Sequence, residues 1–474
     1  MLSRTLHIAL LFYLGMACAL AQQPPQDATI DGSTVTIGSI YITGNEKTRE
    51  EIIVRELGFE KGDVLKKSDL LEILELDRQK IINTRLFITV EVIPLLISDS
   101  EVDILIKLQE RWYIFPVPIF KLADRNFTEW WVNQNRDFSR VNWGAQLFHM
   151  NLTGRNDRLS ARLQFGFTKL YALQYSLPYI DKNQKLGISF SASYATNKTV
   201  GLSTNGHRQE FISFEDETLR KNINANVGFT YRPTFYTRHT FDLGYSNTKV
   251  QDTVAIANPN YLGDANTRLQ YLRLSYVFSR DLRDFVAYPL TGSYFRVAAN
   301  QFGLGVFKEI NMLTTRATYS KFFDLGKDFF QANRLEVFKN WADNIPYVRR
   351  TGFGYRPDFI RGYEKYVIET DFLISYRTSL KWQFLEGVSN LNERSVIPQF
   401  RTLPYAFYFK VFMDVGYAGD PLQNNENNFW NNDMVGSLGV GIDIVTYYDF
   451  VMRFEYSVNR EGGTGFYFNL RGAL

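Results

Sequence analysis

The chain has 474 residues, of which 22% are charged, and a net charge of +3 at pH 7. That length exceeds one ordinary folding unit, and so small an excess of positive charge leaves no concentrated basic face for nucleic acid. Cys18 is the only cysteine, which excludes a disulfide framework and cysteine-based metal chemistry.

Met1–Ala21 reads as a secretory signal peptide. Arg4 is the positive start, Ile8–Leu14 the short apolar stretch and Ala19-Leu20-Ala21 the small-residue cleavage site. Residues 22–34 carry Pro24 and Pro25 and read as a flexible leader. Beyond the signal there is no apolar run of about 18 residues, so no membrane helix is expected.

Residues 35–110 carry a net charge of −5 and read as a small α+β unit. Val35–Ile42 alternates as a strand and stops at Gly44-Asn45. Thr48 stands where it can cap a first helix, and Ser68 opens a second. Leu70, Leu71, Leu74, Ile81 and Ile82 form the apolar side of that second helix. Ile88–Leu95 and Val102–Gln109 are two further strands. A linker is expected over residues 111–140.

Residues 141–474 repeat a period of two, with apolar and often aromatic side chains alternating with polar or small ones. Of the 74 aromatic residues, 69 lie beyond residue 110, an excess that suits the aromatic girdles of a membrane barrel. A soluble sandwich would show the same alternation. Sixteen strand candidates emerge. The first is Val141–Met150, the fifth Gln209–Leu219, the eleventh Phe329–Lys339, the twelfth Ile368–Trp382, the thirteenth Tyr405–Tyr417 and the sixteenth Gly465–Arg471. An even count with alternating short turns and long loops predicts a 16-stranded antiparallel transmembrane β-barrel behind the small domain.

Chemistry is sparse. Beyond the signal the histidines are His149, His207 and His239, and none stands in a Ser or Asp constellation. There is no Gly-x-Ser-x-Gly elbow. Gly352-x-Gly354 and Gly439-x-Gly441 lack the strand–helix setting of a nucleotide site. No catalytic residue, metal site or cofactor is expected.

Two stretches carry a resemblance. Ile40–Asn45, Thr48–Leu57, Leu86-Phe87 and Leu108-Gln109-Glu110 together resemble a POTRA domain. Phe359-Ile360-Arg361-Gly362-Tyr363-Glu364, lying between the eleventh and twelfth strands, is similar to the Arg-Gly-aromatic motif of the Omp85 superfamily, in its BamA/TamA-like branch. Phe412-Met413-Asp414-Val415-Gly416 resembles that family's thirteenth-strand pattern, and Asp281–Asp284 with Pro289 and Gly292 resembles a turn recurrent in it. The resemblance implies a lumen loop motif of Ile360, Arg361, Gly362 and Tyr363, folded inward so that Arg361 meets a carboxylate.

Alternation supplies the candidates. With Phe407, Phe409, Val411 and Met413 facing lipid, Lys410, Phe412 and Asp414 face inward. Asp443 points inward on strand fourteen, and Glu369 and Asp371 on strand twelve. Asp414, which lies in the stretch that resembles the thirteenth-strand pattern, is the first choice, and an arginine suits the role because its guanidinium fork can bind a carboxylate through two hydrogen bonds.

The resemblance implies an outer-membrane protein assembly or insertion factor, with the N-terminal domain in the periplasm. Its partners would be outer-membrane lipids, unfolded client polypeptides, and periplasmic or lipoprotein accessory subunits. A client strand would add at a lateral seam between the first and last strands. Gly462, Gly463 and Gly465 would soften that seam, although glycines there also suit a plain hairpin turn. Ile88, Val90 and Val92 mark the strand edge that would receive clients. The competing readings are a two-partner-secretion-like translocator and a passive pore.

Overall fold

The computed structural model describes residues 33–122, 136, 138–214, 217–307, 310–355, 358–363, 366–390, 401–419, 429–446 and 450–471. The expected signal peptide (1–21) and residues 22–32 of the leader lie outside the described residues, as does Glu364.

The N-terminal unit runs β1 (Thr34–Thr43), α1 (Glu50–Val54), β2 (Val64–Lys66), α2 (Lys67–Asn83), β3 (Phe87–Ser98) and β4 (Glu101–Glu110). In space the strands lie in the order β2-β1-β4-β3. β1 pairs parallel to β4, and β3 pairs antiparallel to it. Period-two residues Val102, Ile104, Ile106 and Leu108 face helically spaced Leu70, Leu74 and Ile81 in one core. Leu71, expected on the apolar side, is exposed instead. Thr48 does not cap α1, whose first turn follows Arg49 without a side-chain cap. Its hydroxyl meets the Tyr113 hydroxyl at 3.1 Å and accepts from Asn151 Nδ2 at 2.9 Å. Thr48 therefore ties this domain to the one that follows.

Sixteen strands then form one antiparallel sheet in which each follows its predecessor. In chain order they are β5 (Ile114–Leu122), β6 (Val141–Met150), β7 (Arg158–Gly166), β8 (Thr168–Leu177), β9 (Leu186–Asn197), β12 (Arg220–Tyr231), β13 (Thr237–Val250), β14 (Arg268–Asp281), β15 (Gly292–Phe302) and β16 (Met312–Gly326), then β17 (Phe329–Asn340), β20 (Phe372–Asn390), β21 (Thr402–Gly419), β22 (Met434–Thr446), β23 (Phe450–Asn459) and β24 (Thr464–Arg471). Two small ribbons stand outside the sheet. One joins β10 (Thr199–Asn205) to β11 (Arg208–Ser213), and the other joins β18 (Thr351–Phe353) to β19 (Ile368–Thr370).

Two expectations about these strands are corrected, and they offset each other. The expected linker over 111–140 contains the first sheet strand, β5, paired with β6 along its length. Pro116 and Pro118 hid it, since proline reads as a strand breaker except at an edge, where β5 lies. Of the expected fifth strand, Gln209–Leu219, residues 209–213 pair in the β10–β11 ribbon instead, because period two does not say which sheet a hairpin joins. The count of sixteen survives, and the arginine loop still falls between the eleventh and twelfth strands. The twelfth strand begins at Phe372, not Ile368.

Side-chain polarity is inverted relative to a soluble sandwich. On β21, Phe409 and Val411 are 40% and 48% exposed, while Lys410, Phe412 and Asp414 are at most 3% exposed. The outer face is apolar and the enclosed face holds the charges, as hydrocarbon outside requires. The sheet wraps far enough that one loop touches side chains of β16, β21 and β23. Among the described residues no ladder joins β24 to β5.

The N-terminal domain docks on the turns at one rim. Arg49 N–H donates to the Gly154 carbonyl at 3.0 Å. Arg55 donates to the Tyr179 hydroxyl at 2.7 Å. Arg232 grips Glu56 through two bonds, at 2.7 and 2.9 Å. Asn83 binds the turn that carries Asp284.

If the apolar face meets lipid, Val411→Arg should cost about 2–4 kcal/mol near the midplane. Urea unfolding in lipid vesicles measures this; a change within about 0.5 kcal/mol, as on a soluble surface, would contradict it.

Candidate functional site

Between β17 and β20, the described residues 358–363 lie in the interior of the sheet. The β18–β19 ribbon braces them, with Thr351 opposite Thr370 and Phe353 opposite Ile368. Phe353, Ile360, Tyr363, Ile368 and Leu373 pack with Trp430 and Val435 into a buried apolar cluster. Ile360 fits because Gly416 opposite it has no side chain. A Cβ there would lie 2.7 Å from Phe353 and 3.0 Å from Ile360.

Arg361 follows and is buried. Its Nε donates to Asp414 Oδ2 at 2.8 Å and its Nη2 to Asp414 Oδ1 at 2.5 Å, the two-pronged geometry that lysine lacks. Its own backbone N–H adds a third bond to Asp414 Oδ2 at 3.1 Å. Nη1 reaches Glu455 Oε1 at 3.3 Å, and the guanidinium lies over the Phe412 ring at 3.7 Å. Gly362 turns the tip with φ +86° and packs against Ser437, Ser457 and Asn459. Tyr363 donates its hydroxyl to Glu461 at 2.5 Å and meets Trp430 edge-on.

The charges continue beyond Arg361. Lys410 Nζ donates to Asp443 Oδ1 at 2.5 Å and lies 2.8 Å from Glu455 Oε1, the atom that Arg361 also touches. Tyr288, from the β14–β15 turn, donates to Asp443 Oδ2 at 2.8 Å. A second cluster holds the loop upstream. Arg316 on β16 binds Asp358 at 2.7 Å through Nη2 and contacts Glu336 through Nη1, while Arg377 lies over Phe359.

The structure thus brings Ile360, Arg361, Gly362, Tyr363, Phe412, Asp414 and Gly416 together. The other carboxylates divide. Asp443 faces inward but is held by Lys410 and Tyr288. Glu369 lies in the β18–β19 ribbon rather than on strand twelve, accepting from Thr204 and Tyr355 at 2.6 and 2.8 Å. Asp371 stands at the junction, its carbonyl accepting from Asn340 N–H.

Two further expectations shift. Gly462 (φ +81°) and Gly463 form the β23–β24 turn, closed by Asn459, so only Gly465 lies in the last strand. β3 is an edge strand, but Val90 points into the core while Ile88 and Val92 are half-buried, so the edge presents backbone more than side chains.

Sequence reading missed Glu455, although the alternation Arg453, Glu455, Ser457 carried the signal. Tyr288 gave none, since it lies in a turn. Among the described residues no group of three His, Cys, Asp or Glu is placed to hold a metal.

At the rim opposite the N-terminal domain, the β10–β11 ribbon bends its tip over the loop. His207 there is buried, accepts from Trp430 N–H at 3.0 Å through Nε2 and stacks on the Trp430 ring. Burial lowers its pKa from the ordinary 6.5, offset in part by a backbone hydrogen bond at Val367. Arg208 and Glu461 line the adjoining opening.

Comparison with known proteins agrees with this geometry. Residues 151–372 match the family model described as the Omp85 superfamily domain, and residues 35–111 match POTRA, described as a surface antigen variable number repeat. BamA from Haemophilus ducreyi lacking POTRA domains 1–3 superposes with TM-score 0.50 at 16% identity, over 92% of this chain and 84% of that one. CdiB from Escherichia coli superposes with TM-score 0.55 at 9% identity, over 92% and 76%. At these identities the likeness is one of fold. No curated protein sequence matches the chain.

Arg361→Ala would leave Asp414 and Glu455 buried with too little positive charge, a loss of about 3–5 kcal/mol. Arg361→Lys should recover part of it. Urea unfolding of both variants is the check, and equal stability of the alanine variant and wild type would contradict the clasp.

The ribbon cap should weaken in acid. The unfolded chain takes up the His207 proton near 6.5, while the folded site resists it. The contribution is therefore complete above that pH and lost as pH falls below it. Protease nicking at Arg208 should rise on acidification, and His207→Phe should remove the pH dependence.

Proposed function

We propose that this chain, whose residues 151–372 match the Omp85 superfamily domain, assembles or inserts outer-membrane proteins, in the manner of the BamA/TamA-like branch, by adding client strands at the seam between β5 and β24. The N-terminal domain lies in the periplasm in this reading, and the rim with the β10–β11 ribbon faces outward. The partners are unfolded client polypeptides and outer-membrane lipids, with periplasmic or lipoprotein subunits as accessories. The chemistry is pairing rather than catalysis.

The observation that carries the reading is the edge of β5 turned away from β6, on which no described strand pairs. Neighbouring N–H groups along a strand point to opposite sides, so Pro116 and Pro118, two residues apart, remove donors from the same side. β5 is paired with β6 at every residue from Ile114 to Leu122, which leaves the missing donors on the edge turned away from β6, the edge that meets β24 in this reading. A closing ladder there is short of two hydrogen bonds. A seam weakened in this way can open to hydrocarbon and exchange its partner for a client strand. The backbone edge of β3 offers the same kind of pairing to a client before insertion.

Secretion through the lumen is the competing reading. It requires residues 358–363 and their ionic clasp to leave the interior, whereas strand addition at the seam does not.

A cysteine pair joining β5 to β24 in a Cys18→Ser background should abolish client insertion into vesicles when oxidised and restore it on reduction. Full insertion by the oxidised form would overturn the seam. If that form instead still exports a soluble polypeptide, the secretion reading holds. Replacing Pro116 and Pro118 by valine should slow insertion by restoring donors to the edge.

A further inference from the structure

The connection between β14 and β15, residues 282–291, makes contacts in two directions. On one side it is held by the N-terminal domain. Asn83, the last residue of α2, donates from Nδ2 to the Asp284 carbonyl at 2.8 Å and accepts from the Val286 N–H at 3.2 Å. One side-chain amide thus mimics a neighbouring strand. The turn is stiff in itself: Arg283 Nε binds Asp281 at 2.7 Å, and the Asp284 carboxylate accepts from Leu290 N–H at 3.1 Å.

On the other side the turn crosses beneath the lumen. Tyr288 is 3% exposed, and its ring lies 4.8 Å from that of Tyr408 on β21 with Lys381 Nζ 3.9 Å away. Its hydroxyl binds Asp443 on β22, five strands along the sheet from β15. The second oxygen of Asp443 holds Lys410, Lys410 also holds Glu455, and Glu455 touches Arg361. A line of contacts therefore runs from the end of α2 to the arginine of the lumen loop: hydrogen bonds from Asn83 to the turn, the covalent backbone of the turn from Asp284 to Tyr288, then hydrogen bonds and ion pairs from Tyr288 to Arg361. From Tyr288 onward every member is buried. A broken link there finds no water to replace it, so neighbouring links must readjust together.

We propose that this turn transmits the docking of the N-terminal domain to the grip on Arg361, with Tyr288 as the positioning residue. While the domain is docked, the Tyr288 hydroxyl occupies Asp443 Oδ2, and Lys410 is shared between Asp443 and Glu455. When the domain shifts and draws the turn away, Asp443 loses its donor and takes a larger share of Lys410. Glu455 is then left to compete with Asp414 for the guanidinium, and the loop tip loosens. The contacts stand on their own; their use in client handling rests on the function proposed above.

The test uses the full-length protein in detergent micelles without client, so its outcome does not depend on the assembly reading. An arginine-specific protease reports opening of the loop by cleavage at Arg349, Arg350 or Arg361. Tyr288→Phe keeps the ring and removes the hydroxyl, while Asn83→Ala releases the turn from the domain. Each should raise the cleavage rate at least about fivefold, the lower end of measured couplings between sites. The double variant should exceed the larger single effect by little, because both act along one line. Heat-modifiable gel mobility should stay unchanged, which separates loop opening from unfolding. An unchanged rate in Tyr288→Phe would overturn the role of the hydroxyl. An unchanged rate in Asn83→Ala, or multiplicative effects in the double variant, would overturn transmission from the domain.

Discussion

A guanidinium removed from water must be given carboxylates, and Arg361 is given two. Asp414 takes the fork of the side chain and the backbone N–H of the same residue, so the clasp fixes the loop as well as its charge. Much of the interior follows from this requirement. Phe412 lies under the guanidinium, Glu455 needs Lys410 as a second cation, and Lys410 in turn needs Asp443. Buried pairs of this kind are weak evidence for net stability, because desolvation offsets their attraction. Their value is that they tolerate few other arrangements, which keeps a long loop in one place.

The same physics explains why the charges are inside. A membrane barrel meets hydrocarbon on its outer face, so its polar groups have only the lumen and the rims. A wet lumen would dilute these interactions. Here the loop residues Phe353, Ile360 and Tyr363 pack against the wall and exclude water around Arg361, which strengthens each ion pair and raises the cost of breaking it. The apolar part of the loop and its charged part therefore depend on each other.

The two domains meet at the turns of one rim, where Met150 and Tyr179 join the apolar core of the small domain, and polar contacts add to this. Arg232 with Glu56, Arg55 with Tyr179 and Asn83 with the 282–291 turn are polar contacts at separate points of one rim. Such contacts orient the small domain while leaving each one able to break singly. The 282–291 turn differs from the others in continuing into the lumen, which makes it the place where movement at the rim can be felt at the arginine.

Alternation along β21 is enough to assign Asp414, Phe412 and Lys410 to the interior, because a strand has only two faces and one of them is plainly apolar. The Arg361–Gly362–Tyr363 motif was legible through its resemblance to a known family, and its loop position through the strand count. Local pattern could not show that Ile114–Leu122 is a strand, since its prolines are acceptable only at an edge and edges exist only in the assembled sheet. It could not assign residues 209–213 to a ribbon, or show that Asp443, which also points inward, is held by Lys410 and Tyr288. Those choices depend on sheet order and on which groups the wrapped sheet brings within 3 Å. Period two is a property of the chain, whereas the closure that pairs Tyr288 with Asp443 and Arg361 with Glu455 exists only once distant strands have curved around a shared interior.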